Sequence, residues 1–154
     1  MKTMKKVFGV LILCFLYSES VYARCDLSPK TKNIALSLSY DAYGLAYQIE
    51  SDYEAFEVGA YKELDDILND VYVFAYTARS LKREIERARG RCHGPKRALY
   101  RLENNYNSLL IGLEEFDYYY VESDLWYRIS RKVRRLRNLL LHGRDIGGPR
   151  FEQL

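Results

Sequence analysis

The sequence predicts an all-α, up-down four-helix bundle built from two long helical hairpins behind a cleaved signal peptide. Three observations carry that expectation. Apolar residues recur at spacings of three and four through most of residues 28–141, and helix-starting and helix-breaking residues punctuate the pattern. Cys25 and Cys92 stand just outside the two ends of the first hairpin. A rod-like coiled coil is the structural alternative, because the spacing persists over several heptads. Gly94-Pro95 interrupts such a rod, and a second stripe on the first helix (Leu36, Tyr40, Tyr43, Tyr47) suits a globular bundle better.

Residues 1–23 carry the three parts of a secretory signal: Lys2, Lys5 and Lys6, the apolar run Val7 to Tyr17, and a polar stretch ending Val21-Tyr22-Ala23. Cleavage is expected before Arg24, which removes Cys14 and leaves two cysteines. The apolar run would span only about 16 Å as a helix, against roughly 30 Å for a bilayer core. No later run is long enough to cross, so the mature chain is expected to have no transmembrane span and to be secreted or periplasmic. The mature chain is the size of one domain, residues 24–143, with residues 144–154 (Gly147-Gly148-Pro149 and little periodicity) read as a flexible tail.

Helix one is predicted to start at Ser28-Pro29, because a serine side chain can accept from an orphan backbone N–H and proline fits the first helical position. Its stripe runs Ile34, Leu38, Ala42, Leu45, Ile49 and Phe56, and Gly59 suggests the turn. Helix two continues from Leu64 through Phe74, Leu81 and Ile85 to Cys92, ended by Gly94-Pro95, which also opens helix three. Helix three carries Leu99, Leu102, Tyr106, Leu109, Leu113, Phe116 and Tyr120. No Gly or Pro parts it from helix four, so the boundary is placed at Glu122-Ser123-Asp124, where Ser or Asp can cap a new helix over Leu125, Ile129, Val133, Leu136 and Leu140. The alternative at that point is one long continuous helix.

Helices one and two, each roughly 30 residues and hence about 45 Å long, return Cys92 to the level of Cys25 when folded back on each other. In an oxidising compartment that is a disulfide. Helix four ends at the same pole, which gathers Cys25, Cys92, His93 and His142, so a small zinc site on those four residues is an alternative. No cofactor is expected: the chain lacks Cys-x-x-Cys-His for covalent haem and Glu-x-x-His for a di-iron bundle.

The formal net charge of +3 conceals alternating blocks, acidic over 41–70 and 103–124 and basic over 79–101 and 128–150. On an up-down bundle these separate into an acidic pole and a basic pole. Arg87, Arg89, Arg91, Arg97, Arg131, Arg134 and Arg135 are the candidate anion-binding residues, since arginine favours bidentate oxyanion contacts. Tyrosine is abundant, 15 residues against one tryptophan. Consecutive helical residues point about 100° apart, so Tyr118, Tyr119 and Tyr120 cannot all face one core and form a candidate partner-binding surface.

Arg137-Asn138-Leu139-Leu140-Leu141-His142 resembles the Arg-Asn-x-x-x-His motif of HEPN ribonuclease domains, which are also helical bundles. The resemblance covers six residues. It implies a metal-independent ribonuclease in which Arg137 and His142 act on the RNA backbone across a dimer cleft, with Asn138 as polar neighbour. Beside it stands the primary expectation: a non-enzymatic exported bundle that binds a protein or anionic envelope component through charge-polarised ends. Homo-oligomers fit that expectation, and nucleic acid is not its expected partner.

Overall fold

A computed structural model describes residues 25–55, 62–116 and 118–144; the expected signal peptide, the turn expected at Gly59 and nearly all of the expected tail lie outside them. Within the described residues the protein is an all-α bundle of five helices without strands: α1 (Pro29–Ala55), α2 (Lys62–Arg87), α3 (His93–Phe116), α4 (Tyr118–Glu122) and α5 (Asp124–His142).

α1 starts where Ser28-Pro29 predicts. Ser28 Oγ accepts from the Thr31 N–H at 3.5 Å, while Ser28 itself donates its amide to Asp26 Oδ1 at 2.7 Å and its hydroxyl to Asp26 Oδ2 at 3.1 Å. The start of α5 also falls where expected. Ser123, in extended backbone, accepts from the Trp126 N–H at 3.2 Å, and Gly143 closes the helix at φ +62° with its N–H on the Leu139 carbonyl at 3.0 Å.

Helix two departs from expectation: it stops at Arg87 instead of reaching Cys92. Arg89 and Gly90 take φ of +43° and +85°, and the Arg91 N–H turns back to the Ala88 carbonyl at 2.7 Å. Gly90 meets that conformation without a Cβ penalty. Gly94 and Pro95 are not the break; they lie in the first turn of α3, where the missing proline N–H has no intrahelical partner to lose. Glu84 Oε2 lies 2.6 Å from where a Cβ of residue 94 would be, so this glycine lets the carboxylate close on the N-terminus of α3. The five-residue α4 is a further difference, since the periodicity suggests one helix running up to Glu122.

Side-chain contacts fix which helices adjoin and in which sense. Cys25 bonds to Cys92, and the Tyr72 hydroxyl donates to Glu50, so α1 and α2 run oppositely. α3 crosses back along α2, with Asn105 on Thr77 at 3.4 Å, and α5 along α3, with Glu103 on Arg137 at 3.5 Å. α5 also lies antiparallel against α1, through Asp26 with Leu139 and Asp41 with Lys132. The long helices thereby surround one core, in which Leu38, Leu45, Phe74, Leu109, Ile129 and Leu136 are wholly buried. Each such side chain contributes on the order of 1.5–3 kcal/mol. Packed against that core, the half-buried Tyr106 stacks on Trp126 with ring centroids 5.0 Å apart and meets Phe74 at 6.1 Å, while its hydroxyl pairs with Ser130 Oγ at 2.8 Å. The polar tip of the Tyr106 ring is thereby satisfied.

Candidate functional site

The bridged end of the bundle is built outward from the Cys25–Cys92 disulfide, whose Cα atoms are 5.9 Å apart across 67 residues of sequence. Beside it, Asp26 anchors the lead into α1: its backbone N–H bonds the Leu139 carbonyl at 2.9 Å, at the end of α5. Partial burial pushes the Asp26 carboxyl up, but the amide and hydroxyl of Ser28, with Thr31 and the Lys30 ammonium, outweigh it and hold the pKa below the ordinary carboxylate value.

From this corner a groove of about 550 Å³ runs between α1 and α5, lined by Lys30, Asn33, Ile34, Ser37, Lys132 and Arg135. Spacings of three and four put Lys30, Asn33, Ile34 and Ser37 on one side of α1, and Lys132 and Arg135 answer from α5. Asp41 marks its far side, held by Lys132 at 2.6 Å and Arg128 at 3.5 Å. Three cations, an amide and a hydroxyl line the groove, and its lining carries no histidine, thiol or carboxylate. Such a set can hold an oxyanion by charge-assisted hydrogen bonds, with the guanidinium offering a bidentate contact.

Of the seven arginines expected to bind anions, Arg135 lines this groove. Arg87, Arg89, Arg91 and Arg97 are exposed around the α2–α3 turn, close in sequence to the disulfide. Arg131 and Arg134, also exposed, sit near the middle of α5, roughly 12–16 Å along the helix from His142. The basic residues therefore fall at two levels, the α2–α3 turn and the middle of α5. Block charge along a sequence reports sign, and only the register of packed helices says at what level each residue falls.

The four residues of the zinc alternative do not retain their ligand chemistry. Both sulfurs are committed to the disulfide, which leaves the exposed His93 and His142 imidazoles without a thiolate beside them. Among the described residues no group of three or more His, Cys, Asp or Glu side chains comes together as a metal site. For the ribonuclease motif, Arg137 Nε is engaged by Glu103 on the α3 side, and His142, five residues on, points about 140° away around the same helix. Asn138 lies between them in sequence.

The consecutive tyrosines separate as helical geometry requires. Tyr120 is buried and donates its hydroxyl to Asp52 at 2.7 Å, which makes it a tie between α4 and α1 rather than a free surface. The side chains of Tyr118 and Tyr119 lie outside the described residues. Among the described residues the exposed tyrosines lie elsewhere: Tyr40, Tyr43 and Tyr47 on α1, Tyr72 and Tyr76 on α2, and one each on α3 and α5, Tyr100 and Tyr127. The sequence signal for those on α1 is the second stripe on helix one, which argues for a globular bundle without by itself marking a surface.

No protein-family model, curated protein or solved structure matches this chain.

Proposed function

We propose that this chain is an exported, secreted or periplasmic, non-enzymatic helical-bundle protein that binds a protein or envelope partner through anionic groups. The observation that carries the reading is the α1–α5 groove, an open groove of about 550 Å³ whose lining includes Lys30, Lys132 and Arg135. The signal-like residues 1–23 support export, and a disulfide belongs to an oxidising compartment. No described helix is long and apolar enough to cross a membrane. The antiparallel contacts support an up-down bundle of two hairpins, with α4 as an insert in the second.

The test is a pull-down from envelope extracts with the oxidised protein at low and high salt, beside Lys30→Gln/Arg135→Gln. Capture of a specific partner that fades as the Debye length shrinks to about 3 Å at 1 M salt, and that weakens in the double variant, is expected. Equal capture by the double variant and the wild type at low salt overturns the groove as the site. Purified protein that cleaves RNA, with loss in His142→Ala and an intact fold, would replace this reading by the ribonuclease one.

A further inference from the structure

We propose that the outer face of the α1–α2 hairpin is a self-complementary dimer surface, closed by the same face of a second copy of this chain. Tyr40, Tyr43 and Tyr47 are 70%, 38% and 74% exposed, Tyr72 and Tyr76 41% and 65%. Spacings of three and four set the first three on one side of α1, and a spacing of four does the same for the pair on α2. The hydrogen bond from the Tyr72 hydroxyl to Glu50 lays the two stripes side by side. That bond is also why the Tyr72 hydroxyl titrates above its ordinary value.

A single exposed tyrosine needs no explanation. Five on one hairpin face expose roughly three side chains' worth of ring, on the order of 600 Å² at ordinary tyrosine areas. A standard interface takes about 800 Å² from each partner, so this band supplies most of one. Tyrosine is also the residue such interfaces favour, because a rigid ring buries area at low entropic cost while its hydroxyl stays wet.

The occupant is set by the charges that bracket the band. Asp65, Tyr72, Tyr76, Arg83 and Arg87 succeed one another on α2 at spacings of seven, four, seven and four, so they form one exposed stripe. Asp65 lies eleven residues before Tyr76 and Arg87 eleven after, hence about 16 Å to either side of it along the helix. A two-fold axis through the tyrosine band places Asp65 of one copy opposite Arg87 of the other, twice over. Two-fold interfaces are isologous and require this kind of reversal of charge about their centre.

Light scattering and sedimentation equilibrium on the oxidised protein test this. The wild type is expected to be a dimer at concentrations up to roughly 0.1 mM, which detects any complex with a micromolar dissociation constant. Tyr47→Ser/Tyr76→Ser should weaken it at least about tenfold with helical circular dichroism unchanged, since both side chains are exposed. Asp65→Arg should weaken it similarly by setting like charges opposite each other twice. Asp65→Arg/Arg87→Asp should restore it to within about threefold. The two positions stand about 33 Å apart within one chain, so restoration can only come from pairing between copies. A monomeric wild type, a dimer indifferent to the tyrosine pair, or a charge swap that fails to restore the dimer overturns the proposal. So does a monomer whose exposed tyrosine resonances shift on adding chito-oligosaccharide, which would give the face to a sugar instead.

Discussion

α1 and α5 lie against each other along the bundle and solve the same packing problem in opposite ways. α5 buries Trp126, Ile129, Val133, Leu136, Leu139 and Leu140, and its outer side carries arginines and a lysine with a single exposed ring, Tyr127. α1 is the least amphipathic of the long helices, because apolar rings occur on both of its sides. Its inner stripe, Leu38, Ala42, Leu45 and Ile49, is wholly buried, whereas Tyr40 and Tyr47 stand in solvent. A helix that needs only a core gains nothing from rings on its far side. The difference teaches that the outside of α5 is a solvated cationic flank and that of α1 a surface fit for contact.

The sharpest way to break this comparison is to truncate one ring in the core and one on the outer side of α1. Phe74→Ala, at the core that both helices cover, is expected to cost about 3–5 kcal/mol in urea unfolding, while Tyr47→Ala stays within about 0.5 kcal/mol at concentrations where the protein is monomeric. A large loss for Tyr47→Ala in the monomer would show its ring to be structural. Removing the disulfide by Cys25→Ser/Cys92→Ser comes next, at about 2–5 kcal/mol, since it frees 67 residues of loop. The intact bridge should show as a mass two units below the reduced chain. Tyr120→Phe tests the inner role of a tyrosine at about 1 kcal/mol, through the lost hydrogen bond to Asp52, again by urea unfolding.

The smallest effect concerns the α1–α5 seam and is read from pH. The folded pKa of Asp26 is depressed, so its contribution is present above the unfolded value of about 3.9 and is lost as pH falls through the folded value. Asp26→Asn should therefore lower stability modestly at pH 7 and flatten the acid limb of a stability–pH curve below about pH 4. An unchanged acid limb would mean that the seam rests on the Leu139 carbonyl and not on this carboxylate.

Much of the fold is legible in the residues alone. Ser28-Pro29 and Ser123 announce two helix starts because capping is local chemistry, decided by residues three apart. The cysteine pair is legible because two helices of similar length must bring their outer ends together. What escapes depends on competition between neighbours. Gly94-Pro95 is a stronger breaker in isolation than Arg89-Gly90, yet proline costs nothing in a first turn, so the chain turns at the glycine and begins α3 around the proline. The site is less legible than the fold. Arg131 and Arg134 share a charge block with Arg135, but only the facing of α5 against α1 selects the last for the groove. Tyr120 falls on the apolar stripe of helix three, but nothing local announces that Asp52, far away in sequence, claims its hydroxyl.

The single carbonyl of Leu139, shared by the amides of Asp26 and Gly143, has a consequence for the order in which the chain assembles. Synthesis delivers α1 first and α5 last, so the seam between them joins the earliest and latest helices to appear. Cys25 and Cys92 need only the first hairpin, and their bridge can close while α5 is still to come. An oxidised half-bundle would then wait with one flank of α1 uncovered, and high contact order at that final seam would set the pace of completion. A chain cut before Ser123 should accordingly oxidise normally yet expose apolar surface, which a hydrophobic dye would report.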